Sequence, residues 1–179
     1  MADTALIVVD VQNLFVAVTG DEGLAAVAAI NEYVAKAVAN EWPVYYLRDY
    51  RPDADTDPHG DDTLLHPALD VRGTVVEKGP GHRGALSGFL RLPTDMKGPE
   101  LGAGGLSQLA EHLARDGVMA LVVTGIATDV CVSATAVDAV RLGYEVTVPL
   151  SACAPVHAHP DGDDAAVEAL REAGVTVIA

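Results

Sequence analysis

The stretch "DGVMALVVTGIATDVCVSATAVDAVRLGYEVTV", residues 116–148, contains one complete strand–helix–strand unit. Gly117 stands where a helix would stop in a left-handed residue. A short valine-rich run follows and ends at Thr124-Gly125. Its length and its unbroken apolar character suit a strand buried on both faces. Small residues then form a turn and Cys131 opens a helical segment. Gly143 closes that helix before the next β-branched run. A strand, a helix and a strand in this order imply a parallel pair joined by a crossover.

The same junction recurs outward from this unit. "EWPVYYLRD" (41–49) and "AGVTVIA" (173–179) each place a breaker before an apolar run, with Gly174 and Asn40 as the expected helix stops. Val27, Ile30, Val34 and Val38 fall on one helical stripe, and Leu106, Leu109 and Leu113 on another. Strands are predicted at about 5–9, 43–48, 73–77, 119–124, 145–148 and 174–178. The expected fold class is α/β, a three-layer α/β/α sandwich around a six-stranded, doubly wound parallel sheet of Rossmann-like form. The whole chain, 1–179, reads as a single domain. Two segments interrupt the rhythm: 50–70, rich in Pro and Asp, and 79–104, rich in Gly. Both leave the C-terminal end of a strand, where open α/β sheets bind ligands.

Composition narrows the function. Half of the residues are hydrophobic, which excludes a disordered chain. A net charge of −15 repels phosphate backbones and anionic lipid, so neither nucleic acid nor membrane is an expected partner. No apolar run reads as a membrane span, and the opening "MADTALIVVDVQ" lacks the basic start of a signal peptide. The two cysteines, Cys131 and Cys153, make no disulfide framework, and the expected compartment is the cytoplasm.

The polar groups at the strand ends carry the chemistry. The first strand ends in Asp10, the second in Asp49 and the third in Lys78, while the fourth feeds the turn before Cys131. In a doubly wound sheet strands one and four flank the switch point, so Asp10 and Cys131 would face each other. Each has a plainer reading: a strand-end cap, a solvated lysine, a small core hydrophobe. Thr128 or Asp129 can cap the helix, which would put Cys131 in a first turn that stabilises a thiolate. Together, carboxylate, ammonium and thiol are the parts of an activated-thiol hydrolase. A literal GxGxxG at 79–84 follows the third strand and not the first, and Pro80 removes an N–H; this argues against a dinucleotide site.

With these residues the sequence resembles the isochorismatase-like cysteine hydrolases, and among them the nicotinamidase/pyrazinamidase group. "ALIVVDVQNLF" (5–15) resembles the family's Asp-x-Gln-x-x-Phe strand, and "VVEKGPGHRGALSGF" (75–89) its lysine strand and Ser-Gly-Phe loop. "VTGIATDVCVSATAVDAVRLGYEVTV" (123–148) carries Gly-x-x-Thr-x-x-Cys-Val. The resemblance implies a triad of Asp10, Lys78 and Cys131, and a cis peptide at Ile126-Ala127 beside the oxyanion site. It also implies a thioester route from a small carboxamide to ammonia and an acid. Homo-oligomers are common in such a family, so association is expected.

The chain departs from the group where a divalent metal would sit. The segment after strand two reads Asp49-Tyr50-Arg51, with an arginine in place of the first expected histidine. Asp49, His59 and His66 are the remaining ligand candidates for zinc, manganese or iron, but their spacing is irregular. The expectation is that the histidines are solvated, that the triad needs no cofactor, and that Arg51 reads a polar substrate tail instead. Phe15 and Phe89 are the aromatic candidates for covering a substrate ring, with core packing as their default role. Two other readings stand beside the amidohydrolase. One is vinyl-ether cleavage of isochorismatase type, which Cys131 disfavours. The other is a non-catalytic ligand-binding or redox-sensing relative.

Overall fold

The computed structural model describes residues 3–49, 60–78, 85–89 and 107–179. Seven parallel strands build the sheet: β1 (Thr4–Val9), β2 (Val44–Asp49), β3 (Thr74–Lys78), β4 (Ala120–Ile126), β5 (Glu145–Pro149), β6 (Cys153–Ala154) and β7 (Thr176–Ile178). Their order is β3-β2-β1-β4-β5-β7, with the two-residue β6 pairing the end of β4. The chain winds outward from β1 through β2 to β3, returns to β4 and winds the other way, so the switch point lies between β1 and β4 as expected. The addition to the predicted set is β6. It has only two residues and follows a proline and a tight turn, which leaves no periodic signal in the sequence.

Strand alternation explains why β1 is apolar throughout. Ala5, Ile7 and Val9 enter one core cluster with Tyr45, Leu47, Leu109, Leu113 and Val123. Leu6 and Val8 point to the opposite face and join Val27, Ile30, Val34 and Tyr46. Each fully buried aliphatic side chain contributes roughly 1.5–3 kcal/mol.

Among the described residues four helices cover the faces: α1 (Asn13–Ala39), α2 (Gln108–Arg115), α3 (Ser133–Arg141) and α4 (Asp163–Glu172). The buried stripe of α1 is Val27, Ile30, Val34 and Ala37; Val38, expected on it, is half exposed. The helix ends there, and the Ala37 carbonyl accepts the Trp42 N–H at 2.9 Å, so the smaller residue lies under the turn. Its left-handed stop is Glu41 (φ 57), one residue past the expected Asn40 (φ −100). Gly117, Gly143 and Gly174 are left-handed as expected. By length and composition α1 could cross a membrane, contrary to the sequence expectation. Here its stripe packs on the sheet, and Gly20, outside helical φ/ψ, interrupts it.

The site-facing edge of the sheet is the C-terminal one. Of the long loops, 60–70 returns to it: Asn13 donates its N–H to the Leu64 carbonyl and His66 its N–H to the Val11 carbonyl.

Candidate active site

Asp10 follows β1 directly and takes a left-handed conformation, φ 50. Such a conformation costs a non-glycine residue roughly 1–3 kcal/mol and persists where the surroundings hold it. Two backbone bonds do so: the Asp10 N–H donates to the Leu47 carbonyl at 3.0 Å, and the Asp10 carbonyl accepts the Gln12 N–H at 2.8 Å. Lys78, the last residue of β3, donates from Nζ to Asp10 Oδ2 and to the Leu86 carbonyl at 3.2 Å. Neither side chain of this pair has any solvent exposure.

Cys131 reaches the pair from the other side of the switch point. A Cβ on Gly125 (φ 121) would lie 2.1 Å from the Val9 carbonyl oxygen, so only glycine lets β4 close on β1 here. The peptide Ile126–Ala127 is cis. The chain then makes a wide turn, Thr128–Val132, in which the Val132 N–H reaches back five residues to the Ala127 carbonyl at 3.0 Å. Cys131 lies in this turn, ahead of α3, and neither Thr128 nor Asp129 caps a helix with its side chain. The expected first-turn capping is replaced by this π-type geometry.

The thiol interacts with the Asp10 carboxylate. Asp10 Oδ1 has no partner at normal hydrogen-bond geometry. Burial dominates the electrostatics. It raises the Asp10 carboxyl to about 6, against the lowering by Lys78, with Asp49 adding to the rise. Burial alone would lower the Lys78 ammonium, but Asp10, Cys131 and Asp49 outweigh it and the net direction is up. Burial and the Asp10 charge push the Cys131 thiol up to about 12, although Lys78 opposes them. Burial beside Asp10 thus opposes the stabilised thiolate expected from the sequence, and the Asp10 carboxylate is the proton acceptor beside the thiol.

Residues to which sequence reasoning gave no bracing role hold this arrangement. Gln12, fully buried, joins the ends of β1 and β2 and also donates to the Thr63 carbonyl at 2.9 Å. The Ser87-Gly88-Phe89 segment is fixed from below, with the Gly88 N–H donating to Thr135 Oγ1 at 3.1 Å. Asp129 accepts the N–H groups of Val156 and Ala158. A glutamine directly after a strand and an aspartate before the cysteine were the available signals, but their partners are backbone groups far along the chain.

The remaining candidates fare differently. Arg51 and His59 lie outside the described residues. Phe89 is buried with its ring tilted against Tyr144 at 5.9 Å, in a packing position. Phe15 packs partly buried against the α1-side core. Asp49 is at the site edge, opposite Lys78 in register, and its Oδ1 accepts the Ala85 N–H at 3.2 Å. His66 Nδ1 accepts the Ala68 N–H at 3.3 Å. Among the described residues no three Asp, Glu, His or Cys side chains gather as a metal site. Asp49 and His66 do not make a ligand set without a further residue, and no step below runs through a metal.

Comparison with known proteins gives the family and the fold. The family model for the isochorismatase domain matches residues 4–179. A nicotinamidase/pyrazinamidase of Mycobacterium tuberculosis is 37% identical, with 97% of each chain covered. Among solved structures, a pyrazinamidase of Pyrococcus horikoshii in complex with zinc superposes with a TM-score of 0.76 at 24% identity, over 99% of each chain. The N-carbamoylsarcosine amidase of Thermoplasma acidophilum gives 0.75 at 25% identity, over 99% of this chain and 96% of that one. The domain match spans nearly the whole chain and a relative is 37% identical over nearly its full length: this protein belongs to the isochorismatase family.

Proposed function

We propose that the chain is a cysteine-dependent amidohydrolase of nicotinamidase type, which cleaves a small carboxamide through a thioester and releases ammonia. The observation that carries this reading is the convergence of Asp10, Lys78 and Cys131, three buried groups from β1, β3 and the turn after β4. The named activity of the 37% identical relative supports it.

The chemistry follows from the protonation states. A thiol near 12 beside a carboxyl near 6 does not ionise ahead of the reaction. Asp10 therefore takes the S–H proton as Sγ bonds to the carbonyl carbon, which is general-base catalysis of nucleophilic attack. The N–H groups of Ala127 and Cys131 receive the oxyanion, each worth about 2.7–4 kcal/mol if placed as in known oxyanion holes. As the C–N bond breaks, Asp10 returns the proton to the leaving nitrogen and ammonia departs. Water, deprotonated by Asp10, then attacks the thioester; the acid leaves and the thiol regains its proton. Lys78 holds Asp10 in place and offsets its charge throughout.

The test is ammonia release from nicotinamide, pyrazinamide and a set of aliphatic amides and ureides. Turnover of at least one pyridine or pyrazine carboxamide is expected, with loss of at least 1,000-fold in Cys131→Ala, on the order of the loss when a nucleophile is removed. Turnover that survives this substitution, or no turnover of any amide, rejects the proposal.

A further inference from the structure

The turn that carries Cys131 borders a pocket on its α4 side. Between the turn and α4 lies a cavity of about 220 Å³, where Thr128 and Asp129 face Cys153, Pro155, Ala166 and Val167. A turn that borders an open groove has fewer packing partners on that side, so directional bonds contribute more to its position. Two sets are present. Ser133 Oγ donates to the Thr128 carbonyl at 2.5 Å, within the turn itself. Asp129 makes the connection outward: Oδ1 accepts the Val156 N–H at 3.0 Å and Oδ2 the Ala158 N–H at 2.6 Å. Both oxygens are thus committed to a segment that leaves β6, and β6 is itself paired with the end of β4.

We propose that Asp129 is a positioning residue for the nucleophile: by bracketing the Val156 and Ala158 N–H groups it sets the wide turn, and with it Cys131 Sγ, against Asp10. The inference rests on the reading of Cys131 as nucleophile. The bracketed segment is tied down in turn. His157, between the two donors, is left-handed (φ 56) and contacts Asp163 at 2.7 Å and Glu22 at 3.3 Å. The brace therefore runs from α1 and α4 through residues 156–158 to Asp129, two positions before the thiol. Charge-assisted bonds from backbone N–H groups are about twice as strong as neutral ones. Alanine at 129 would leave both donors without their acceptor and the turn free to shift toward the cavity. A displacement near 1 Å is enough to cost on the order of 100-fold in rate.

The experiment compares Asp129→Ala with Asn31→Ala in the full chain. Asn31 is a control bracket on α1, bonded to the Ala68 carbonyl at 2.9 Å and the Asp70 N–H at 2.8 Å. Turnover of the best amide and the rate of iodoacetamide labelling of Cys131, read by peptide mass spectrometry, are measured well below both melting temperatures. Asp129→Ala is expected to lower kcat by roughly 10- to 100-fold, to leave KM within about threefold, and to change Cys131 labelling by at least about fivefold. Asn31→Ala is expected to lose stability with kcat and labelling held within about twofold. Equal effects of the two substitutions, a loss confined to KM, or unchanged labelling would overturn the proposal. Labelling reads the thiol's placement without turnover. Failure of the nucleophile reading would instead appear as turnover persisting in Cys131→Ala while Asp129→Ala still alters labelling.

Discussion

The side-chain amide of Gln12 brackets the backbone of Asp49: Oε1 accepts the Asp49 N–H at 2.7 Å and Nε2 donates to the Asp49 carbonyl at 3.1 Å. The residue after Asp10's neighbour on one strand thereby fixes the end of the next, and Asp49 pairs in register with Lys78. Gln12→Ala leaves these backbone groups without partners in a buried place. A loss of about 2–3 kcal/mol is expected in urea unfolding, from the usual cost of orphaned buried groups. Amide turnover should fall at least tenfold, because the Asp10–Lys78 placement depends on the two strand ends. A variant as stable and active as the parent would contradict this.

The Asp10–Lys78 pair should behave as one unit in a double-mutant cycle. Lys78→Met leaves a buried carboxylate without its cation, a change that typically costs about 3–5 kcal/mol. The double variant Asp10→Asn/Lys78→Met should be less destabilised than the sum of the single changes. In Lys78→Met the Asp10 pKa rises further, because the group that opposed burial is gone. Its penalty is then present above the new folded pKa and relieved as pH falls through it. Denaturant midpoints at pH 5 and pH 8 would show the variant closing part of its deficit on the acid side.

Catalysis should have an acid limb. Asp10, raised to about 6, must be ionised to accept the thiol proton. The value of kcat/KM should therefore fall tenfold per pH unit below a midpoint near 6, the behaviour of a single essential base in the free enzyme. The thiol, near 12, adds no second limb between pH 7 and 9. A profile flat down to pH 4.5 would remove Asp10 from the role.

The His157 contacts predict a pH-dependent contribution to stability. Asp163, then Glu22, raise the imidazole above its ordinary value. A raised folded pKa means stability fully present below the unfolded pKa, near 6.5, and lost as pH rises through the folded one. The difference in Tm between the parent and His157→Gln should be largest near pH 5.5 and vanish by pH 9. A difference independent of pH would show that the contact is not ionic.

The fold was legible where burial on both faces made the strands continuous, as in "ALIVVD" and "ALVVTG", and where glycines stopped helices at 117, 143 and 174. Asp10, Lys78 and Cys131 were legible as strand-end residues because a doubly wound sheet brings those ends to one edge. The sequence misled where a property belongs to neighbours and not to the residue. The protonation of Cys131 follows from burial beside Asp10, and the stop at Glu41 from how α1 meets Trp42. Asp129 reads as a cap from its place before a helix. The wide turn instead directs it toward backbone donors nearly 30 residues away, which no local pattern encodes.

Gly125 has a consequence for how this protein tolerates change. Any β-carbon there would drive β4 off β1 at Val9, and the wedge would open between the strands that deliver Asp10 and Cys131. Even the smallest replacement would part the carboxylate and the thiol at their root. Saturation of this codon should yield a single survivor, while the polar sites on the outer face of α1 accept broad variety.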